Sequence, residues 1–320
     1  MNILIAGGAG FIGAELTNFL ISTGNHEVSI IDENLDYINR HLKDLNLKDS
    51  HIGHFDLLDQ KKIKKFIGKK KFDCVIHLAA NSDISKSFAS PDIDLQNTFL
   101  STISILEIMR DKEIQNIFFS SSSAIFGEVK DNISVDEEFG PLLPISHYGA
   151  AKLASEGFIN SYSESYKLKS IIFRFPNIIG PGLTHGVIFD LYNKLKISTD
   201  TLDVLGDGSQ EKSYLHTSDL NDAILKALNA FQNMQQNSSV YNIANYDTIT
   251  VFQISEMLIK LMGLNTKISY GSSDRGWVGD VPKFTFKIDK IHELGWTPKL
   301  NSAAAVEKAI KSLIDASDNS

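Results

Sequence analysis

A glycine-rich turn between an apolar strand and an amphipathic run constrains this chain more than any other stretch. Residues 1–13 read MNILIAGGAGFIG, with Gly7, Gly8, Gly10 and Gly13 closing the apolar run. Glycines let the backbone turn tightly and leave its amides uncovered, and the helix that starts there adds the positive end of its dipole. Strand, turn and helix start in that order predict an anion site, most often for a dinucleotide pyrophosphate. The next apolar run, EVSIID, ends on Asp32. A carboxylate about 20 residues beyond the glycines can accept hydrogen bonds from the adenosine ribose hydroxyls. It would also repel a 2'-phosphate, which points to NAD over NADP.

The alternation continues. HIGHFDLLD offers a third strand with Asp56 and Asp59 at its end, and FDCVIHLAA, residues 72–80, is the near-continuous apolar run of a parallel strand buried on both faces. A helix pattern runs from Pro91 to Met109, and IQNIFFSSSS reads as a further buried strand ending in hydroxyls at Ser120 to Ser123. These units predict an α/β fold, a Rossmann-type doubly wound parallel sheet with its ligands at the carboxyl ends of the strands. From Pro176 prolines and glycines break the rhythm. The expected division is an NAD-binding domain of 1–175 plus 213–245 and a smaller C-terminal α/β substrate domain of 176–212 plus 246–320. Asp219 reads as a helix cap, and the polar end from Asp315 to Ser320 as frayed.

Composition excludes several classes. Of 320 residues, 42% are hydrophobic and 22% charged, ordinary values for a globular protein. A formal net charge of -8 argues against a nucleic-acid binder. Cys74 is the sole cysteine, so no internal disulfide forms, and a reducing, cytoplasmic location is expected. No Lys or Arg precedes Arg40 and no long uninterrupted apolar run occurs, so neither a signal peptide nor a membrane span is expected. The lysines from Lys61 to Lys71 read as a solvated helix and its exit loop. His51 and His54 lack a third ligand, so no metal site is expected; Trp277 and Trp296 read as packing residues, and Glu137 and Glu138 as solvated surface.

The chemistry centres on Ser122, Tyr148 and Lys152. Tyr148 and Lys152 lie four apart in HYGAAKLASEGFI, so both side chains project from one helix face. A free phenol, with a pKa of about 10, is a poor base at neutral pH. An ammonium one turn away and a cationic nicotinamide nearby are expected to favour the phenolate. Ser122, closing the preceding strand, can donate to a carbinol or ketone oxygen.

Together these residues resemble the extended short-chain dehydrogenase/reductase family, and within it the nucleotide-sugar epimerases and dehydratases. The likeness rests on Gly7, Gly10 and Gly13, Asp32, Asp56-Leu57, HLAA at 77–80, Asn97, SSSAIFG at 121–127, Tyr148 with Lys152, and RFPNIIGPG at 174–182. GDGSQEKSYLHTSDL and RGWVGDVP look like the family's later substrate-binding segments. The resemblance implies NAD held by Gly7, Gly10, Phe11, Ile12, Asp32, Asp56, Leu57, Leu78, Ala79, Ala80, Asn97, Ser120, Tyr148, Lys152 and Phe175. It implies a nucleoside-diphosphate sugar, UDP-sugars favoured, held by Ser122, Ser123, Asn177, Val187, Ile188, Lys212 and Arg275. A homodimer packed through helices at about 91–110 and 147–166 is implied as well.

Individual positions separate the family's reactions. Its dehydratases follow the hydroxyl equivalent to Ser122 with an acidic pair, and decarboxylating relatives also place a carboxylate there; this chain has Ser123 and Ala124. Epimerases acting at C3 and C5 use a cysteine in this region, but Cys74 lies in an apparent buried strand. What the resemblance leaves is 4-epimerisation: Tyr148 takes the proton of the sugar 4-hydroxyl, the C4 hydride passes to tightly held NAD, the 4-ketose turns, and the hydride returns to its other face. A net 4-dehydrogenase or ketoreductase and a non-catalytic NAD-binding protein are the alternatives. Three residues depart from the family pattern: Lys212 in place of an arginine, His147 in place of a proline, and Phe126 in place of a tyrosine.

Overall fold

The strands that build the main sheet are short apolar runs that water does not reach. In β1 (Asn2–Ala6), Ile3, Leu4, Ile5 and Ala6 are all fully buried. Such strands need cover on both faces, and parallel neighbours need long crossovers, so helices alternate with them. The computed structural model describes residues 1–41, 47–81, 90–129, 133–274 and 285–318. The chain forms two compact units.

The first unit comprises Met1–Phe126, Leu142–Arg174 and Ile224–Tyr241. Its sheet adds β2 (Glu27–Asp32), β3 (Ile52–His54), β4 (Cys74–His77), β5 (Asn116–Ser122), β6 (Lys169–Phe175) and β7 (Ser238–Asn242), in the spatial order β7-β6-β5-β4-β1-β2-β3. The pairs from β3 across to β5 are parallel, with Ala6 opposite Ile31 on one side and His77 on the other. The chain therefore winds outward from β1 in one direction, then returns to start again at β4. This reversal opens a crevice at the carboxyl ends of β1 and β4.

Helices α1 (Phe11–Ser22), α2 (Leu35–His41), α3 (Gln60–Ile67), α4 (Ser101–Lys112) and α5 (His147–Tyr166) belong to this unit. In α3, Ile63 and Ile67 are buried while most of the Lys61–Lys71 cluster is exposed, and Asp59 caps the helix by accepting from the Lys62 amide at 3.1 Å. The helix expected from Pro91 is realised as a turn at Asp92–Asp94, a π-helical stretch Leu95–Leu100 and then α4. At the start of α5, Ser146 accepts from the Gly149 amide at 3.0 Å. A Cβ on Gly149 would lie 2.4 Å from the Ala124 carbonyl oxygen, so α5 reaches the end of β5 only because that side chain is missing.

The second unit comprises Gly127–Pro141, Phe175–Ala223 and Asn242–Ser320. It contains paired strands Asn177–Ile179 with Tyr214–His216, Thr201–Val204 with Lys267–Tyr270, Glu211–Lys212 with Ile249–Thr250, and Ser134–Val135 with Thr285–Phe286. Its longer helices are α6 (Val187–Ile197), α8 (Val251–Leu261) and α9 (Ser302–Asp318), and the division between units falls within α7 (Thr217–Ala230). These units differ from the expected domains mainly by placing 127–141 and 213–223 in the second, with 175 and 242–245 following at the margins. The pairing of Ser134–Val135 with Thr285–Phe286, and of Tyr214–His216 with Asn177–Ile179, accounts for both shifts.

Several peripheral expectations change. Asp219 lies inside the first turn of α7 and caps nothing; its carboxylate accepts from the amides of Lys299 and Leu300, both at 3.1 Å, and its carbonyl from Trp296 Nε1. Glu137 is not merely solvated, since it accepts from the Asn242 amide at 2.7 Å. The end expected to fray at Asp315 stays helical through Asp318. Among the described residues no helix is long and apolar enough to cross a membrane, and no group of three or more His, Cys, Asp or Glu could hold a metal ion.

Gly149→Ala tests the approach of α5 to β5. The added methyl meets backbone that cannot rotate away, so the variant should lose about 1–3 kcal/mol in urea unfolding.

Candidate active site

The glycine turn closes onto its neighbours through the backbone. Gly7, at φ +82°, donates to the Ile31 carbonyl at 2.8 Å, and a Cβ there would come within 2.6 Å of the Ala79 amide. A Cβ on Gly13 would fall 2.0 Å from the Gly7 carbonyl, so that glycine serves packing of α1 on the turn. Gly10 differs: the nearest atom to its Cβ would be the Gly7 carbonyl oxygen at 3.5 Å, an ordinary contact. The fold itself does not require glycine there, and the bare backbone leaves room for a ligand to approach, as NAD needs.

Around this turn the expected cofactor residues assemble. Asp32 accepts from the Ala9 amide and the Asn34 amide, each at 3.0 Å, which fastens the turn to the end of β2. The amides of Leu78 and Ala79 both donate to the Ala6 carbonyl at 2.9 Å, bringing the 77–80 segment alongside, with Ala80 following. Phe11 and Ile12 open α1 and are partly buried. Asp56 accepts from the Leu58 amide at 2.8 Å, and the Leu57 carbonyl accepts from Ser104 Oγ at 2.6 Å. Glu33 has its pKa raised by burial and by the charges of Asp56 and Asp32. This cluster of carboxylates suits ribose hydroxyls and opposes a further phosphate.

Asn97 lies in the π-helical stretch. It is exposed, whereas Thr98 is fully buried and accepts from the Asn81 amide at 3.1 Å. The π-helical turn sets that phase, because each π turn takes in an extra residue and rotates the row that faces inward.

The second half of the site is built by β5 and α5. Lys152, 1% exposed, donates from Nζ to the Ser120 carbonyl at 2.6 Å and sits 4.7 Å from the Phe119 ring centre and 5.8 Å from that of Tyr148. Ser122 accepts from the Ala124 amide at 3.1 Å and hydrogen-bonds Tyr148. The structure thus brings Ser122, Tyr148 and Lys152 together, with Ser123 opening the adjacent turn Ser123–Phe126. His147, the first residue of α5, is exposed.

The proton affinities run against expectation. Burial pushes the Tyr148 phenol up to about 12, and Asp94 adds to the rise while the Ser122 hydrogen bond opposes it. Burial takes Lys152 down to about 7, with Glu156 and Asp94 pulling the other way. In the protein alone the ammonium does not bring the phenol into the neutral range, because desolvation of the phenolate is the larger effect. His77 is buried and pushed down to about 3, so it stays neutral, sharing a 3.0 Å hydrogen bond with Thr102 Oγ1.

Beneath these groups lies a buried ion pair that sequence reasoning missed. Arg174 donates to Glu156 from Nε at 3.2 Å and from a terminal nitrogen at 2.9 Å, and its guanidinium lies 5.3 Å from the ring centre of Phe126. The departure at Phe126 is thereby a packing surface for a cation. Continuing the row from Tyr148 and Lys152 by four more residues reaches Glu156, which was the available signal. Nothing in the local pattern signalled Asp94, 1% exposed, or its partner Asn81.

Of the expected substrate residues, Ser122 and Ser123 belong to the first unit and Asn177, Val187, Ile188 and Lys212 to the second. Asn177 is exposed at the start of its strand, and Lys212 pairs opposite Ile249. Val187 and Ile188 form the first turn of α6, but Ile188 is 1% exposed and packs inside the unit, so its side chain is not offered to a ligand. Phe175 ends β6 and is buried. Arg275 and Trp277 lie outside the described residues.

A glycine turn open at Gly10, a carboxylate at Asp32 and a Ser-Tyr-Lys set at the adjoining strand end define a nicotinamide-dependent enzyme of the short-chain type. The chain belongs to the NAD-dependent epimerase/dehydratase family, whose model matches residues 3–244. It is 30% identical over 313 residues to a Methanocaldococcus jannaschii protein named "Putative UDP-glucose 4-epimerase", covering 96% of this chain and 97% of the relative. It superposes on a crystal structure of a UDP-galactose 4-epimerase with a TM-score of 0.84 at 31% identity, covering 99% of each chain. A human dTDP-D-glucose 4,6-dehydratase is 26% identical over 320 residues, covering 97% of this chain and 89% of that protein. Epimerases and dehydratases both stand among the relatives, so membership alone does not divide them.

Two measurements probe the site. Gly10→Ala should fold with wild-type stability yet bind NAD about tenfold more weakly or worse in calorimetry, about 1.4 kcal/mol. Lys152 has a folded pKa below its unfolded value of about 10.4. Between pH 7 and 9 the unfolded chain therefore holds the extra proton, and stability from this group rises with pH. Wild type should gain on Lys152→Met across that range by up to about 1 kcal/mol per pH unit in urea unfolding.

Proposed function

We propose that the protein interconverts C4 epimers of a UDP-hexose. The observation that carries this reading is what surrounds Tyr148: a hydroxyl at Ser122 and a cation at Lys152, followed by Ser123 and Ala124 where elimination would need an acidic pair. Those two residues cannot exchange protons near neutral pH, which leaves chemistry at a single carbinol. The likeness to a UDP-galactose 4-epimerase of nearly equal length supports the sugar and the position.

NAD, when bound, supplies the reversible hydride chemistry. The rest falls to the chain. Ser122 Oγ hydrogen-bonds the reacting sugar oxygen. Tyr148 Oη removes the proton of the 4-hydroxyl and returns it, so it must pass through its phenolate. Its hydrogen bond with Ser122 favours that form and burial opposes it. Lys152 brings positive charge within 5.8 Å of the Tyr148 ring centre and is held there by the Ser120 carbonyl. Asn177 and Lys212 are the second unit's candidates for the sugar and the diphosphate, Lys212 as a point charge without a guanidinium fork. The same reading takes the protein as a homodimer through the faces of the π-helical stretch and α5, where Leu95, Phe158 and Tyr166 are exposed.

Incubation with UDP-glucose, UDP-N-acetylglucosamine and their 4-epimers, followed by NMR of the products, should show interconversion without net NADH. Stoichiometric NADH, or a 4-keto-6-deoxy product, would overturn the proposal. Tyr148→Phe should lower kcat by about 10²–10⁴-fold while NAD stays bound; turnover near the wild-type rate would remove Tyr148 from the mechanism.

A further inference from the structure

Four ionisable side chains of the first unit are buried together: Asp94 and Lys152 at 1% exposure, Arg174 at 4% and Glu156 at 7%. Two are cations and two are carboxylates. Glu156 is matched by Arg174 through two hydrogen bonds. Lys152 makes no direct ion pair among the described residues; its Nζ rests on the Ser120 carbonyl at 2.6 Å and on Ser120 Oγ at 3.5 Å. Asp94 is as exposed a problem energetically as it is hidden sterically. Oδ1 accepts from Asn81 Nδ2 at 3.0 Å, and Oδ2 is buried with no hydrogen-bond partner among the described residues. A carboxylate stripped of water with a single neutral donor is costly unless a nearby cation compensates it.

The placement supplies that cation. The Asp92–Asp94 turn and the π-helical stretch after it pack against α5, the helix that carries Lys152. Asn81 clamps this segment at two points one turn apart, donating from its side chain to Asp94 and from its amide to Thr98 Oγ1 at 3.1 Å. Asn81 directly follows the residues that pack on the glycine turn, so the clamp ties the end of β4 to the segment facing α5.

We propose that Asp94 is a positioning residue for proton transfer at Tyr148: its buried carboxylate is the counter-charge that keeps Lys152 cationic and, through the same charge, favours the protonated phenol. The groups facing Lys152 are Tyr148 and Glu156 on its own helix, neutral His77 from β4, Ser120 and Phe119 from β5, and Asp94. Glu156, the larger of the two anionic influences on Lys152, is itself paired with Arg174, whereas Asp94 has no cation paired with it among the described residues. Asp94 raises the proton affinity of both Lys152 and Tyr148. A proton carrier that works in both directions needs its two forms close in energy. The hydrogen bond from Ser122 favours phenolate, and Asp94 pulls back toward phenol. This role rests on the proposed function only in taking Tyr148 and Lys152 as the reacting pair.

The test is a pH titration of lysine Cε by NMR in ¹³C-lysine-labelled protein, with Lys152→Met assigning the Lys152 signal. Asp94→Asn should lower the Lys152 midpoint by about one pH unit or more, and Asp94→Glu should restore it at least in part. The Tyr148-dependent limb of the pH-rate profile should move to lower pH in Asp94→Asn. A midpoint that stays put or rises would overturn the proposal. A stability cycle covers the case in which Asp94→Asn does not fold. Asp94→Asn should cost much less in a Lys152→Met background than in wild type, because the second substitution removes the charge left unmatched. Equal cost in both backgrounds, or failure of the double variant to fold, would also overturn it. Neither the titration nor the cycle depends on turnover, so a protein inactive on every UDP-hexose would sink the proposed function and leave this inference standing.

Discussion

The close approach of α5 to the end of β5 is the contact on which the rest of the site depends. It is made possible by Gly149 lying against the Ala124 carbonyl, and it is held by Lys152 reaching the Ser120 carbonyl at 2.6 Å. With that approach in place, Ser122 and Tyr148 share a hydrogen bond and a phenol, an ammonium and a hydroxyl meet where the parallel strands end. Without it Ser122, at the end of β5, would lie apart from Tyr148 and Lys152, which share α5. The glycine turn after β1 does the equivalent for the cofactor, since Gly7 accepts the backbone of Ala79 and draws the ends of β1 and β4 together.

Burial then sets the tone of the site. Lys152, Asp94, Glu156 and Arg174 are all nearly inaccessible, and their charges balance in number. An interior of this kind makes every charge count, because water is not there to screen it. Hence Tyr148 is pushed up to about 12 and Lys152 down to about 7, both chiefly by burial. The protein alone is poised with Tyr148 protonated, and the proton chemistry depends on which further charges are brought in beside it. The carboxylates near Asp32 act at longer reach, favouring a ribose with free hydroxyls over one bearing a phosphate.

Much of this was legible from the chain. The glycines, Asp32 and the Tyr148 and Lys152 pair follow from spacing, Ser122 from its place at a strand end and the 77–80 segment from the family resemblance, and the structure places them at the carboxyl ends of the strands. The inward turn of Thr98 beside the exposed Asn97 was not legible, because a helical period of 3.6 does not anticipate a π turn. Asp219 was read as a cap from its position near a helix start, yet its carboxylate serves the loop at Lys299 and Leu300, some 80 residues on in the chain. In the protein alone the effect expected of Lys152 on Tyr148 is outweighed by burial, and adjacency on a helix says nothing of how much water either group loses.

The amino-acid sequence by itself determined the strand and helix order, the cofactor turn and the residues available for proton transfer. Those features are carried by neighbours in the chain, within a turn or a strand of one another. Only the tertiary structure decided the proton affinities, the Arg174 and Glu156 pair, and the clamp of Asn81 on Asp94 and Thr98. Each of these depends on burial and on contacts between separate elements, and neither quantity is written in the local spacing of residues.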